Sequence, residues 1–203
     1  MFLPFHAAWA TIRLEGRDGV PKNYREAFAI ASFGASHECP HNKGVLSRCY
    51  LAGMGCPEDL VKAEMLAKES AAAGSCYGYS VIGYFAYDRG HNDLAKVHWQ
   101  KAADLGLAAA QVNLATLYLR EAQVIKFEIR HGQGSERAAL DALILEADAF
   151  ELLIEACQEG HPKAWQELGV MYFHGTYVPL NMDNASACFE RSRKAGNVEL
   201  LIA

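Results

Sequence analysis

Between Ala164 and Asn197 the apolar positions fall three and four residues apart, at Trp165, Leu168 and Tyr172 and again at Ala185 and Phe189. That spacing fits the 3.6-residue period of amphipathic helices with one buried face. The two stretches are separated by Gly175 and by Val178-Pro179-Leu180-Asn181. Proline cannot continue the first helix, and the Asn side chain can accept from the free N–H groups at the start of the second. The pattern therefore predicts a helix, a turn and a second helix.

The same turn occurs as Val20-Pro21-Lys22-Asn23 and, with Asp for Asn, as Cys56-Pro57-Glu58-Asp59. In all three cases an alanine follows four residues after the capping residue, at Ala27, Ala63 and Ala185. Alanine one turn into a helix lets a neighbouring helix approach closely. A second register agrees: Ala63 and Gly74, Ala95 and Gly106, Ala149 and Gly160, and Ala185 and Gly196 all stand in the spacing Ala-x10-Gly. Each of these glycines follows a helical run, where a left-handed C-cap is wanted. The first copy has Glu38 at the glycine position.

The anchors Ala27, Ala63, Ala95, Ala149 and Ala185 are spaced by about 36, 32, 54 and 36 residues, the range of helix-pair solenoids. Five pairs are expected, with helices over 4–15 and 23–37, 41–52 and 58–73, 77–88 and 92–105, 108–131 and 135–159, and 163–174 and 181–195. The corresponding repeats are 4–38, 41–74, 77–106, 108–160 and 163–196 of a single domain, 1–203. The expected fold class is all-α, a right-handed α-solenoid of about five helix-turn-helix repeats. Strand-like alternation bounded by hairpin turns does not recur. Small residues, Ser47, Gly83, Ala115 and Gly169, mark where each first helix crosses its partner. The fourth pair carries an insertion of roughly 18 residues that keeps helical periodicity. It is expected to lengthen both helices by about two turns around the turn from His131 to Ser135, giving an elongated hairpin.

These motifs resemble the Sel-one-like repeats, a subgroup of the tetratricopeptide-like solenoids. The matching residues are Leu168-Gly169-x-x-Tyr172-x-x-Gly175, Leu46-Ser47-x-x-Tyr50-x-x-Gly53-x-Gly55 and Trp99-Gln100-Lys101-Ala102-Ala103-x-x-Gly106. The resemblance covers residues 4–197. It implies an adaptor that holds a partner protein or peptide on a concave face built from the first helices. Bacterial members of such a family are linked to host interaction, envelope processes or toxin–immunity pairs. One secreted, cysteine-rich branch binds penicillin-like compounds and has a disulfide in each repeat. Here only Cys49 and Cys56 share a repeat, a departure that weakens the case for that branch's secreted setting and ligand.

Composition narrows the partner. The net charge of −5 disfavours nucleic acid, whose binders carry a basic excess. The chain is 51% hydrophobic and 21% charged, ordinary for a globular protein, and no apolar run is long enough for a membrane span. The opening residues lack a basic n-region, so the chain is expected to be cytoplasmic, with reduced thiols. Candidate partner-binding residues, by position in the first helices, are Arg48, Tyr84, Tyr87, Thr116, Arg120, Gln166, Phe173 and His174. Tyrosine and arginine serve as interface anchors because they join contact area to hydrogen bonding, although the aromatics can equally pack between helices. The segment His37-Glu38-Cys39-Pro40-His41 has metal-ligand residue types but no second paired motif, and no metal or cofactor is expected. No phosphate loop, GxSxG elbow or HExxH helix is present, so the chain is expected not to be an enzyme. The reading is a protein-binding scaffold, with an immunity protein against a cognate toxin as its narrower form. A lactam-binding or hydrolytic repeat protein is the alternative. The run Val198–Ala203 is either a cap on the last pair or the start of a sixth repeat.

Overall fold

The computed structural model describes residues 3–17 and 20–196, with the side chains of Leu3 and Pro4 set aside. The run 198–203 lies outside the described residues. Among the described residues there are ten α-helices and no strand, which is the expected all-α solenoid class. They are α1 (Leu3–Glu15), α2 (Tyr24–Ser36), α3 (Pro40–Ala52), α4 (Leu60–Ala72), α5 (Cys76–Asp88), α6 (Asn92–Asp104), α7 (Ala108–Arg130), α8 (Glu136–Gln158), α9 (Pro162–His174) and α10 (Met182–Lys194). Every end falls within two residues of the expected span.

The turn chemistry works as its residue types require. Asn23, Asp59 and Asn181 sit in extended backbone, and their side chains accept from the amides of Glu26, Lys62 and Asn184 at 3.1, 2.9 and 2.9 Å. Ser135 does the same for Ala138 at 3.2 Å. The Ala-x10-Gly glycines all have positive φ, from 71° at Gly160 to 115° at Gly196. In the first copy Glu38 adopts φ 57° without the freedom of glycine, a conformation that costs an L-residue roughly 1–2 kcal/mol.

The chain divides into two compact units, Met1–Ala110 and Gln111–Ala203. In the first, the hairpins α1–α2, α3–α4 and α5–α6 follow one another, and the first helices touch in series, α1 on α3 and α3 on α5. Ala7, Ala10 and Leu14 of α1 pack with Ala27 and Ala31 of α2 and with Val45, Leu46 and Cys49 of α3. A second cluster joins Ala63 and Ala67 of α4 to Val81 and Phe85 of α5. Close approach between α3, α4 and α5 depends on glycine. A β-carbon on Gly44 would lie 2.6 Å from the Tyr77 β-carbon, and one on Gly78 would lie 2.3 Å from the Ala71 nitrogen.

In the second unit α8 packs on α9 and α9 on α10. Helices α7 and α8 have 23 residues each against 13 in every other helix. The ten extra residues add about 15 Å, nearly three turns rather than the two expected from the insertion. Their seam holds small and paired side chains: Ala122 and Ala142 are fully buried, and Lys126 donates to the buried carboxylate of Glu146. With alanine at the seam, the larger apolar residues of the extension stay outside. Val124 and Phe127 on α7, and Leu140, Leu143 and Ile144 on α8, are all exposed.

Candidate interaction surface

Counting from the small residue of each first helix (Thr11, Ser47, Gly83, Ala115, Gly169) puts the pairs in a common register. At Ser47, Gly83 and Gly169 the two helices of the pair come into close contact. Ser47 donates to the Ala63 carbonyl at 2.6 Å. A β-carbon on Gly83 would lie 2.6 Å from the Trp99 ring, and one on Gly169 would lie 2.6 Å from the Phe189 ring. This contact fixes which side of each first helix is buried and which faces out.

The eight candidate residues fall into both units. In Met1–Ala110, Arg48 stands one position after Ser47. Its Nη1 donates to Glu15 Oε1 at 2.6 Å, tying α3 to α1, and its side chain is 32% exposed while that of Glu15 is 5% exposed. Burial pulls the Arg48 guanidinium down, and the adjacent Glu15 carboxylate more than offsets this, so the net shift is upward. Tyr84, at the matching position of α5, is exposed. Tyr87 is half-buried with its ring 5.6 Å from that of Trp99.

In Gln111–Ala203, Thr116 is half-buried and its hydroxyl donates to the Val112 carbonyl at 2.8 Å. Arg120 is exposed, one turn further along α7. Val124 and Phe127 follow at the next two turns of the same stripe, with the Phe127 ring 4.1 Å from that of His131. On α9, Gln166 is half-buried, and Phe173 and His174 are exposed with rings 5.0 Å apart and perpendicular.

A set of contacts absent from the sequence reading occupies one register position. The residue four before the small one meets the residue six after the anchoring alanine in four of the five pairs. Lys43 donates to Glu69 at 3.0 Å, and Gln111 to Glu155 at 2.8 Å. Lys101 lies 5.6 Å over the Tyr79 ring, and Arg191 lies 4.7 Å over the Trp165 ring. The position is constant while the chemistry changes from ion pair to hydrogen bond to cation–π. Lys43 is raised by its hydrogen bonds to Glu38 and Glu69.

The other chemical candidates are dispersed. His37 Nδ1 lies 2.8 Å from the Phe33 carbonyl, whereas His41 Nδ1 lies 3.0 Å from Ser75 Oγ and Cys39 precedes α3 as its cap. Among the described residues no group of three or more His, Cys, Asp or Glu is placed to hold a metal ion. The six cysteines are free thiols. Burial pushes Cys49 and Cys157 up to about 12, with smaller contributions from Cys56 and Cys188, which keeps both protonated and weakly nucleophilic. Among the described residues no helix is long and apolar enough to cross a membrane.

Comparison with known proteins agrees with this architecture. Over 170 residues the chain is 27% identical to an uncharacterized protein of Neisseria meningitidis serogroup B, a match that takes in 84% of this chain and 32% of that protein. The chain thus spans about a third of that relative's length. A protective antigen of uropathogenic Escherichia coli with an SLR fold is 20% identical, with 97% of this chain and 46% of that one covered and a TM-score of 0.41. A Sel1 repeat protein of Oxalobacter formigenes is 21% identical, with 95% and 88% covered and a TM-score of 0.45. The sequence profile of the Sel1 repeat matches residues 6–36, 45–75, 83–107 and 166–197, leaving out the elongated pair. Those segments make up more than half of the sequence, and the chain belongs to the Sel1 repeat family.

Proposed function

We propose that this protein is a non-catalytic adaptor of the bacterial cytoplasm that holds another protein on the outer faces of its first helices and on the elongated fourth hairpin. Sel1 repeat proteins generally mediate protein–protein contacts, and this reading applies that property to named residues. The observation that carries it is the exposure of Tyr84 and Phe173, each 44%, on first helices that bury Val81 and Phe85 in α5 and Leu168 and Met171 in α9. Exposed large aromatics, with His174 next to Phe173 and Arg120 exposed on α7, are the residue types that anchor interfaces. Val124 and Phe127 extend the α7 part of that surface by two turns.

The narrower form is an immunity protein whose partner is a cognate toxin, supported by the net charge of −5. The test is affinity capture from the native organism, identification of the retained protein, and calorimetric titration of that protein against the purified chain. Tyr84→Ala, Arg120→Glu and Phe173→Ala should each weaken binding at least ~tenfold. Unchanged affinity in all three would reject this surface. Co-expression of the chain should also relieve the toxicity of the captured partner, and growth arrest that persists would reject the immunity reading.

A further inference from the structure

Apolar residues of α8 recur at Leu140, Leu143, Ile144, Ala147 and Phe150, three and four positions apart, and so make one stripe along the helix. The two ends of the stripe have different surroundings. At Phe150 it is half-buried: the Tyr172 ring of α9 stands 6.3 Å away, edge on, and the Tyr177 ring of the following turn 5.5 Å away. Helix α9 ends at His174, after 13 residues against the 23 of α8. Further out along α8, Leu140, Leu143 and Ile144 are 56%, 47% and 49% exposed. The stripe thus outruns the neighbour that covers its C-terminal part by about two turns. Both the covered and the bare parts lie in the interior of the chain, with their neighbouring helix present.

We propose that a basic amphipathic helix of another protein lies along this bare stripe, its apolar face on Leu140, Leu143 and Ile144 and its cations against the carboxylates around them. The inference rests on the adaptor reading above and names the chemistry of what the hairpin holds. Charge selects the occupant. Arg137 is the only basic residue of α8, which has six acidic ones. Glu146 is buried and held by Lys126, and Glu155 accepts from Gln111. The other four, Glu136, Asp141, Asp148 and Glu151, are exposed. By helical position, Glu136 and Glu151 close the two ends of the stripe, and Asp141 and Asp148 line one edge of it. A second copy docked antiparallel about the middle of the stripe would set Glu136 opposite Glu151 and Asp141 beside Asp148, with Arg137 alone to offset the repulsion. An anionic lipid surface meets the same obstacle. A cationic helix instead finds complementary charge along the stripe and covers its apolar residues with anchors at i, i+3, i+4 and i+7.

The probe is a fluorescein-labelled peptide of about 18 residues, with leucines at the i, i+3, i+4, i+7 spacing and lysines elsewhere, beside a twin with glutamates for lysines. Fluorescence anisotropy against the full chain should show the lysine peptide binding at least ~tenfold more tightly than the twin, and less tightly as salt rises from about 50 to 300 mM. Leu143→Gln and Ile144→Gln should each weaken that binding at least ~tenfold. The double variant Asp141→Asn/Asp148→Asn should weaken it and flatten its salt dependence. Val61→Gln, at an 81% exposed site on α4, should leave it unchanged. Far-UV circular dichroism matching the parent shows that each variant is folded. Failure of the lysine peptide to bind, equal binding of the twin, or indifference to both stripe substitutions would overturn the proposal. So would a concentration-dependent dimer abolished by Ile144→Gln, which would give the stripe to a second copy. The protein captured from the native organism separates the two readings. Affinity that falls with Tyr84→Ala and Phe173→Ala but not with the α8 variants removes this proposal alone, whereas affinity unchanged by all of them removes the adaptor surface as well.

Discussion

Substituting Gly83 by alanine tests the packing account most severely, because local and tertiary physics predict opposite signs. In the middle of a helix, alanine is favoured over glycine by about 1 kcal/mol. At Gly83 the new β-carbon would stand 2.6 Å from both Cδ1 and Nε1 of Trp99. Non-bonded carbons need about 3.5 Å or more, so something must move by close to 1 Å. The indole cannot swing away freely: it is 3% exposed, and its N–H donates to the Ser80 carbonyl at 3.0 Å. Overpacking of this kind costs about 1–3 kcal/mol, and breaking a buried donor's bond about 1–3 more. After subtraction of the helix gain, Gly83→Ala should destabilise by about 1–5 kcal/mol and lower Tm by roughly 2–20 °C. Equilibrium urea unfolding followed by circular dichroism measures this. Gly169→Ala serves as an internal comparison. Its obstacle, the Phe189 ring at 2.6 Å, is only half-buried and can turn outward, so the loss should be smaller, about 0–2 kcal/mol. In the double variant Gly83→Ala/Trp99→Leu the two changes should compensate, with a coupling of at least ~1 kcal/mol. A Gly83→Ala protein as stable as the parent, or strict additivity in the cycle, would refute the reasoning.

Three other outcomes follow from single contacts. Glu38→Gly should raise stability by roughly 0.5–1 kcal/mol in the same unfolding assay, because φ 57° ceases to cost and Lys43 keeps Glu69 as a partner. Arg48→Met removes the nearer of two cations from the Glu15 carboxylate, 5% exposed, leaving Arg17 at 3.8 Å, and should cost about 2 kcal/mol, less in the double variant with Glu15→Gln. Glu64 is lowered to about 2 by hydrogen bonds from Arg89 and then Lys68. A depressed carboxylate stabilises above its unfolded value near 4.5 and loses that contribution as pH falls towards 2. The group is partly exposed, so the effect stays below about 1 kcal/mol. The gap in urea midpoint between the parent and Glu64→Gln should therefore be fullest above pH 4.5 and close near pH 2, and a gap constant across that window would contradict the assignment.

The parts of the fold legible in the sequence are those where backbone geometry admits few residue types. Asn or Asp before a helix and glycine after it are demanded by unpaired amides and positive φ, so their spacing revealed all five pairs. Glu38 was identifiable as the exception for the same reason. Contacts between side chains were not legible, because the geometry asks only that something bridge the gap. The couples Lys43–Glu69, Tyr79–Lys101, Gln111–Glu155 and Trp165–Arg191 share a place but span three kinds of contact and differ in residue types, so no recurring motif marks them. Arg48 was chosen for facing outward, which is one-third true; its partner Glu15 lies 33 residues away and carries no local signature. The helical periodicity of the insertion also did not tell which stripe was the seam. A seam of Ala122 and Ala142 looks weaker on any hydrophobic scale than the faces it leaves outside.

The tight crossings at Gly83–Trp99 and Gly169–Phe189 bear on how such an array can be rearranged. In register, the hydroxyl residues Thr11 and Ser47 accompany the small residues Ala31 and Ala67, whereas glycine accompanies a ring. A recombination that joined α3 to α6 would set Ser47 against Trp99, and one that joined α5 to α4 would leave a hole beside Gly83. Shuffling repeats is therefore tolerable only when the break falls between pairs, and each pair is inherited, duplicated or grafted as one unit.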